Sequence, residues 1–190
     1  YEMSASLVGS EMCIRDSVII ARIDKGEEIL EQLKAIAINE NIKLASINAL
    51  GAINDFTIGV YKIDEKKYYS NSFKGYYEIT SLTGTINTMD GEYYAHLHMS
   101  VGNEKGEAFG GHLNRAVVSA TCEMVITVID GKVDRVYDEE TGLNVFKFAN
   151  FPFEKEVLKK AGKKDIIATK NIGKNFVKIE GCVLAESYVK

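Results

Sequence analysis

Apolar and polar positions along this chain follow two periods. Between residues 27 and 39, Ile29, Leu30, Leu33, Ile36 and Ala37 recur three and four apart, which is the spacing of one helical face packed on a sheet. Lys25-Gly26 breaks the preceding run, and the acids that follow suit the positive end of a helix dipole, so a helix opening at Glu27 and ending near Asn39 is predicted. Elsewhere the period is two, or the runs are continuously apolar and β-branched. Strands are predicted over 18–24, 44–53, 56–63, 67–73, 76–88, 92–101, 133–137 and 143–148, with 116–129 forming a central strand or two. Asn54-Asp55 joins two of them, and Asp55 there reads as a turn or capping residue. Asp90-Gly91 is a hairpin signal, which makes 76–88 and 92–101 antiparallel neighbours.

One helix among many strands with short connections predicts an α+β domain: a largely antiparallel sheet with one main packed helix. So many strands leave edges, which invites closure by self-association. Residues 1–17 show neither helical nor strand periodicity and read as a non-native or disordered leader, in the first case a translated cloning or adapter sequence. The domain is expected over 18–148, and 149–190 form an extension without assignment, carrying a helix at 154–160 and weaker strands at 165–169 and 176–184.

Composition narrows the classes. A chain of 190 residues with 46% hydrophobic content suits one domain with a sizeable core. No run approaches the ~20 apolar residues of a membrane span, so a soluble, cytoplasmic protein without a membrane partner is expected. Cys13, Cys122 and Cys182 are odd in number and far apart, which suits reduced thiols, with Cys122 a small core residue. The net charge of −4 is not the footprint of electrostatic nucleic-acid binding, although from Pro152 onward nine lysines face five acids. That basic tail reads as a solvated helix face, with phosphate contact as the alternative.

The chemistry lies between residues 93 and 113, which hold every histidine of the chain: His96, His98 and His112. His96 and His98 sit at i, i+2 in a strand, so both rings leave one face while Ala95, Leu97 and Met99 point to the core. A turn over 102–106 and the pair Gly110-Gly111 can bring His112 back beside them. Three neutral imidazoles make the open coordination of a zinc site, or of another divalent transition metal, with water completing it. The alternative is a set of ordinary polar histidines on a solvated sheet face.

The segments Gly75-Tyr76-Tyr77-Glu78-Ile79-Thr80-Ser81-Leu82-Thr83-Gly84, Asp90-Gly91, His96-Leu97-His98-Met99-Ser100, Gly110-Gly111-His112-Leu113 and Thr141-Gly142-Leu143 come in an order that resembles the PPC domain, the plants-and-prokaryotes conserved domain that accompanies AT-hooks in plants. The first of these is similar to the family's GRFEILSLSG strand. The resemblance spans about residues 18–148, and it implies a homotrimer-forming α+β fold and a metal site at the three histidines. It also brings a DNA-binding label from AT-hook relatives. An AT-hook, however, needs an Arg-Gly-Arg-Pro-like core, and the only proline here, Pro152, follows Phe151. Within this frame Glu78 is the candidate base or a supporting partner behind the metal ligands, and Asn114 and Arg115 are candidate contacts for a small anionic ligand. A DNA-associated regulator without enzymatic activity is the alternative function.

Overall fold

The computed structural model describes residues 18–147. The leader 1–17 and the predicted elements beyond residue 148 lie outside the described residues. Within them the chain runs β1 (Val18–Asp24), α1 (Ile29–Asn39), β2 (Ala45–Lys62), β3 (Lys67–Met89), β4 (Glu92–Gly102), β5 (Ala108–Val128), β6 (Asp134–Asp138) and β7 (Leu143–Lys147). This is the expected α+β class, with one helix and a mostly antiparallel sheet; only the β3–β6 pair runs parallel.

The helix starts two residues later than its acids suggest. Glu28 is the N-cap, its carboxylate accepting the Glu31 N–H at 2.7 Å, so the helix proper begins at Ile29. Ile29, Leu33 and Ala37 are buried and Leu30 and Ile36 pack against the same core, which is the face the periodicity predicts.

Three long strands replace shorter predicted ones. The segments expected to be separated at Asn54-Asp55 form the single strand β2, which crosses that point by register shifts between Ala49 and Gly51 and between Ile53 and Asp55. Asp55 is therefore no turn residue: it stays in the strand at a bulge, and its carboxylate meets the Arg115 guanidinium at 3.1 Å. In the same way 67–73 and 76–88 merge into β3, and the predicted central strand begins earlier, at Ala108. Bulges let a long strand bend and serve two neighbours in succession, so β2 pairs β3 and β5, and β4 also pairs β3 and β5. The four strands thus close a hydrogen-bonded circuit. Asp90 and Gly91 both have positive φ, as a two-residue hairpin turn of the predicted kind requires.

One face of this sheet is the core. Ile23, Ile47, Leu82, Leu97, Met99, Met124 and Ile126 are buried together with the helix face, and Phe56 stacks on Phe73 with centroids 4.9 Å apart. Cys122 is a buried free thiol, as expected, with its pKa pushed up to about 11 by burial and then by Glu123. The opposite face is set by register. Ile20 pairs Val125, Val125 pairs Asn48, Asn48 pairs Thr83, Thr83 pairs His98 and His98 pairs His112, forming one row of side chains across five strands. Among the described residues no helix is long and apolar enough to cross a membrane.

Candidate metal centre

The alternation of β4 places Leu97 and Met99, each 2% exposed, in the core, and sends His96 and His98 out on the other face. The β4–β5 register then sets His112 directly opposite His98. Ring centroids are 5.1 Å apart for His96 and His98, 5.1 Å for His96 and His112, and 5.6 Å for His98 and His112. One nitrogen from each ring lies within 4.8 Å of the others. Around a tetrahedral zinc at 2.0–2.1 Å the nitrogens would stand about 3.3 Å apart, a difference within reach of side-chain torsions. The donor set is three imidazoles with no carboxylate or thiol in the group, which suits zinc and its neighbours and leaves coordination open.

Next to His112, glycine lets β5 lie close against β2. A Cβ on Gly111 would stand 2.6 Å from the Gly59 carbonyl oxygen, closer than real Cβ contacts come. Gly59 in turn gives Tyr68 room to lie across β2. From there the Tyr68 hydroxyl donates to Asn114 Oδ1 at 2.6 Å, and its ring meets His112 edge-on with centroids 6.1 Å apart. Burial raises the Tyr68 pKa, so the phenol stays a donor at neutral pH.

A residue that sequence reasoning missed completes the cluster. Arg135 of β6 is only 6% exposed and spans its surroundings with every nitrogen. Its Nε donates to Asn87 Oδ1 at 2.7 Å, its Nη1 to the Asn144 carbonyl at 2.6 Å, and its Nη2 lies 3.4 Å from His96 Nδ1. The guanidinium carbon sits 4.8 Å from the Tyr94 ring centroid and 4.4 Å from that of Phe146, so two aromatic faces enclose it. Asn87, itself fully buried, donates onward to Thr85 Oγ1 at 2.9 Å, tying Arg135 to the register partner of His96. No periodic signal marks Arg135, because on β6 the usual alternation is reversed: the arginine is buried and Val136 is 43% exposed.

These neighbours keep the His96 and His112 imidazoles neutral. Burial, then the positive charge of Arg135, then the other two rings push the His96 pKa down to about 4. His112 is lowered by burial first, then by His98 and Arg135. Near pH 7 both rings therefore carry free lone pairs, the form that ligates a metal.

The other predicted site residues are placed differently. Glu78 is exposed and pairs Gly102, five residues along β3 from the partner of His98, which is about 16 Å of strand. The structure does not bring it to the histidines. Asn114 is linked to the cluster through Tyr68, whose ring meets His112, and together with Arg115 it faces a cleft beside α1. Arg115 is engaged by Asp55 and lines that cleft of about 430 Å³ between α1 and the sheet, with Glu28, Glu31, Lys34 and Tyr93.

Comparison with known proteins agrees with the fold. A protein from Pyrococcus horikoshii described as plant- and prokaryote-conserved is 34% identical, with a TM-score of 0.66 over 70% of this chain and 92% of that one. A metal-containing protein from Archaeoglobus fulgidus is 31% identical, with a TM-score of 0.66 over 70% of this chain and 94% of its own. A candidate DNA-binding protein from Bacteroides thetaiotaomicron is 33% identical, with a TM-score of 0.67 over 69% and 92% of the two chains. No curated protein sequence matches. The profile of the Plants and Prokaryotes Conserved (PCC) domain matches residues 13–130, well over half the chain, and the chain belongs to that family.

Proposed function

We propose that this chain binds a divalent transition metal, zinc first among them, at His96, His98 and His112, and through it a small anionic ligand, as a homotrimer. One observation carries the reading: a nitrogen from each of the three rings lies within 4.8 Å of the others, with no carboxylate in the group. The Archaeoglobus fulgidus relative described as metal-containing supports it. A cation held there supplies Lewis acidity and an open position for an exogenous ligand. The chain's own residues do the rest. Leu97 and Met99 anchor β4 in the core and fix the direction of both histidines on it, and Tyr68 holds Asn114 beside His112 as a polar contact for the ligand. Arg115, engaged by Asp55, and the distant Glu78 have no part in this reading.

The trimer is supported by a sheet face that no described element covers. Val18, Ile20, Leu50 and Val125 are exposed on it, in register with the strands that bear the histidines. An apolar surface of this kind on a sheet favours burial against another copy.

Metal analysis of protein purified without a histidine tag tests the site, alongside a variant with all three histidines changed to Ala. Near-stoichiometric metal in the parent and a background level in the variant are expected; equal content in both would overturn the reading.

A DNA-associated regulator is the second reading, favoured by the Bacteroides thetaiotaomicron relative. The described domain carries thirteen basic against nineteen acidic side chains, so a phosphate contact would fall to local groups or to the basic tail beyond residue 152. A DNA titration across salt concentrations decides it: steep weakening with salt supports the reading, and no binding at low salt removes it.

A further inference from the structure

Arg135 is a buried cation, 6% exposed. Among the described residues no acid pairs with it, and its hydrogen bonds go to Asn87 Oδ1, the Asn144 carbonyl and His96 Nδ1. A guanidinium can only donate, so in this arrangement Nδ1 of His96 is the acceptor and the ring's proton sits on Nε2. That arrangement cannot survive metal ligation by His96. If Nδ1 becomes the ligand, its lone pair is used; if Nε2 becomes the ligand, the proton must move to Nδ1. Either way Arg135 Nη2 loses its acceptor, and does so beside a newly bound divalent charge.

A buried N–H of a charged group left without an acceptor is costly, and a second positive charge next to it raises the cost. Among the described residues the three histidines and Arg135 bring no negative charge to offset it. The group that satisfies both demands is an oxyanion, one oxygen directed at the metal and another accepting from Nη2. Guanidinium geometry suits a carboxylate or phosphate in this role better than a halide.

From this geometry we infer that Arg135 is the anion-selecting residue of the site, and that metal and oxyanion bind cooperatively because ligation of the metal frees Arg135 Nη2 to hold the anion. The inference rests on the metal reading above and names the group that would recognise the ligand. It makes Arg135 a binding residue and gives Asn87, Tyr94 and Phe146 the task of holding its guanidinium in place.

Cobalt(II) serves as the metal probe, since its visible absorption reports ligation directly, and acetate serves as the oxyanion, with perchlorate keeping ionic strength constant. In the unmodified protein, acetate should tighten Co²⁺ binding, and Co²⁺ should tighten acetate binding by the same factor. In Arg135→Gln the Co²⁺ spectrum should persist while the acetate effect weakens by about tenfold to a hundredfold, the loss expected for one charge-assisted hydrogen bond. Should Arg135→Gln fail to fold, the reciprocal titration of the unmodified protein still decides. A Co²⁺ spectrum indifferent to acetate, or an acetate effect unchanged in a folded Arg135→Gln, would overturn the inference alone. Absence of any Co²⁺ spectrum in the unmodified protein would instead overturn the metal reading beneath it.

Discussion

His98 and His112 stand directly opposite one another across the β4–β5 ladder, with ring centroids 5.6 Å apart. Fourteen positions separate them in the sequence, so the pair exists only through strand register. A one-residue slip would turn either ring to the core face and dismantle the cluster. If both rings serve one ion, their contributions cannot be independent. Each single change, His98→Ala or His112→Ala, is expected to weaken Zn²⁺ binding more than about a hundredfold, beyond what loss of a supporting residue costs. The double variant should be far less than multiplicatively worse. Competition against a chromophoric chelator measures all three; multiplicative losses would mean the rings act separately.

Beside His112, β5 also lies close against β2, at Gly111 and Gly59. Adding a Cβ at Gly111 places it 2.6 Å from the Gly59 carbonyl oxygen, and backbone on both sides has no easy way to yield. Gly111→Ala should therefore destabilise metal-free protein by about 1–3 kcal/mol, the range for overpacking, and weaken metal binding by shifting His112. Thermal melts and the same chelator competition read the two effects. A variant as stable as the parent would show that β2 and β5 separate more readily than their contact implies.

How much of this was legible in the sequence follows from which forces act locally. The helix face and the hairpin turn at Asp90-Gly91 were, because periodicity and positive φ are written in a few adjacent residues. The histidine cluster was legible too, since i, i+2 spacing on a strand fixes a shared face. Strand length was not. Asn54-Asp55 reads as a break, yet bulges absorb it and the Asp55–Arg115 ion pair accommodates a charge inside the strand. Arg135 was out of reach because its burial depends on Asn87, Tyr94 and Phe146 from three other strands, none of them near it in β6.

The depressed basicity of His96 and His112 has a consequence for acid stability. Both rings bind protons more weakly when folded than a free imidazole, whose pKa is 6.5, so the unfolded chain takes up protons first as pH falls. In chelator-treated protein, stability should hold above about pH 6.5 and decline from there toward pH 4, where His96 itself titrates. Half-exposure of the rings screens the effect, so a loss on the order of 1 kcal/mol is expected. Urea unfolding at a series of pH values checks it. The His96→Asn variant should flatten the slope, whereas an unchanged slope would assign the acid sensitivity to carboxylates instead.

Glu28 joins the helix to the sheet through one carboxylate. Its Oε2 accepts the Glu31 N–H at 2.7 Å and caps α1, while its Oε1 accepts the Ala116 N–H at 2.8 Å, where β5 runs beneath the helix. Ala116 is fully buried, so its amide has no water to turn to if the carboxylate is removed. Glu28→Ala should then lose a cap, about 1 kcal/mol, and strand a buried donor at a further 1–3 kcal/mol. Glu28→Gln keeps one acceptor oxygen but not two, so its loss should be intermediate. Since Ala116 and His112 share β5, both variants should also loosen metal binding, and the alanine variant more. Urea unfolding of the metal-free proteins ranks the three. A Glu28→Ala loss below about 0.5 kcal/mol would mean that the helix is held by its apolar face alone, through Ile29, Leu33 and Ala37, and that the carboxylate only occupies a place the packing has already fixed.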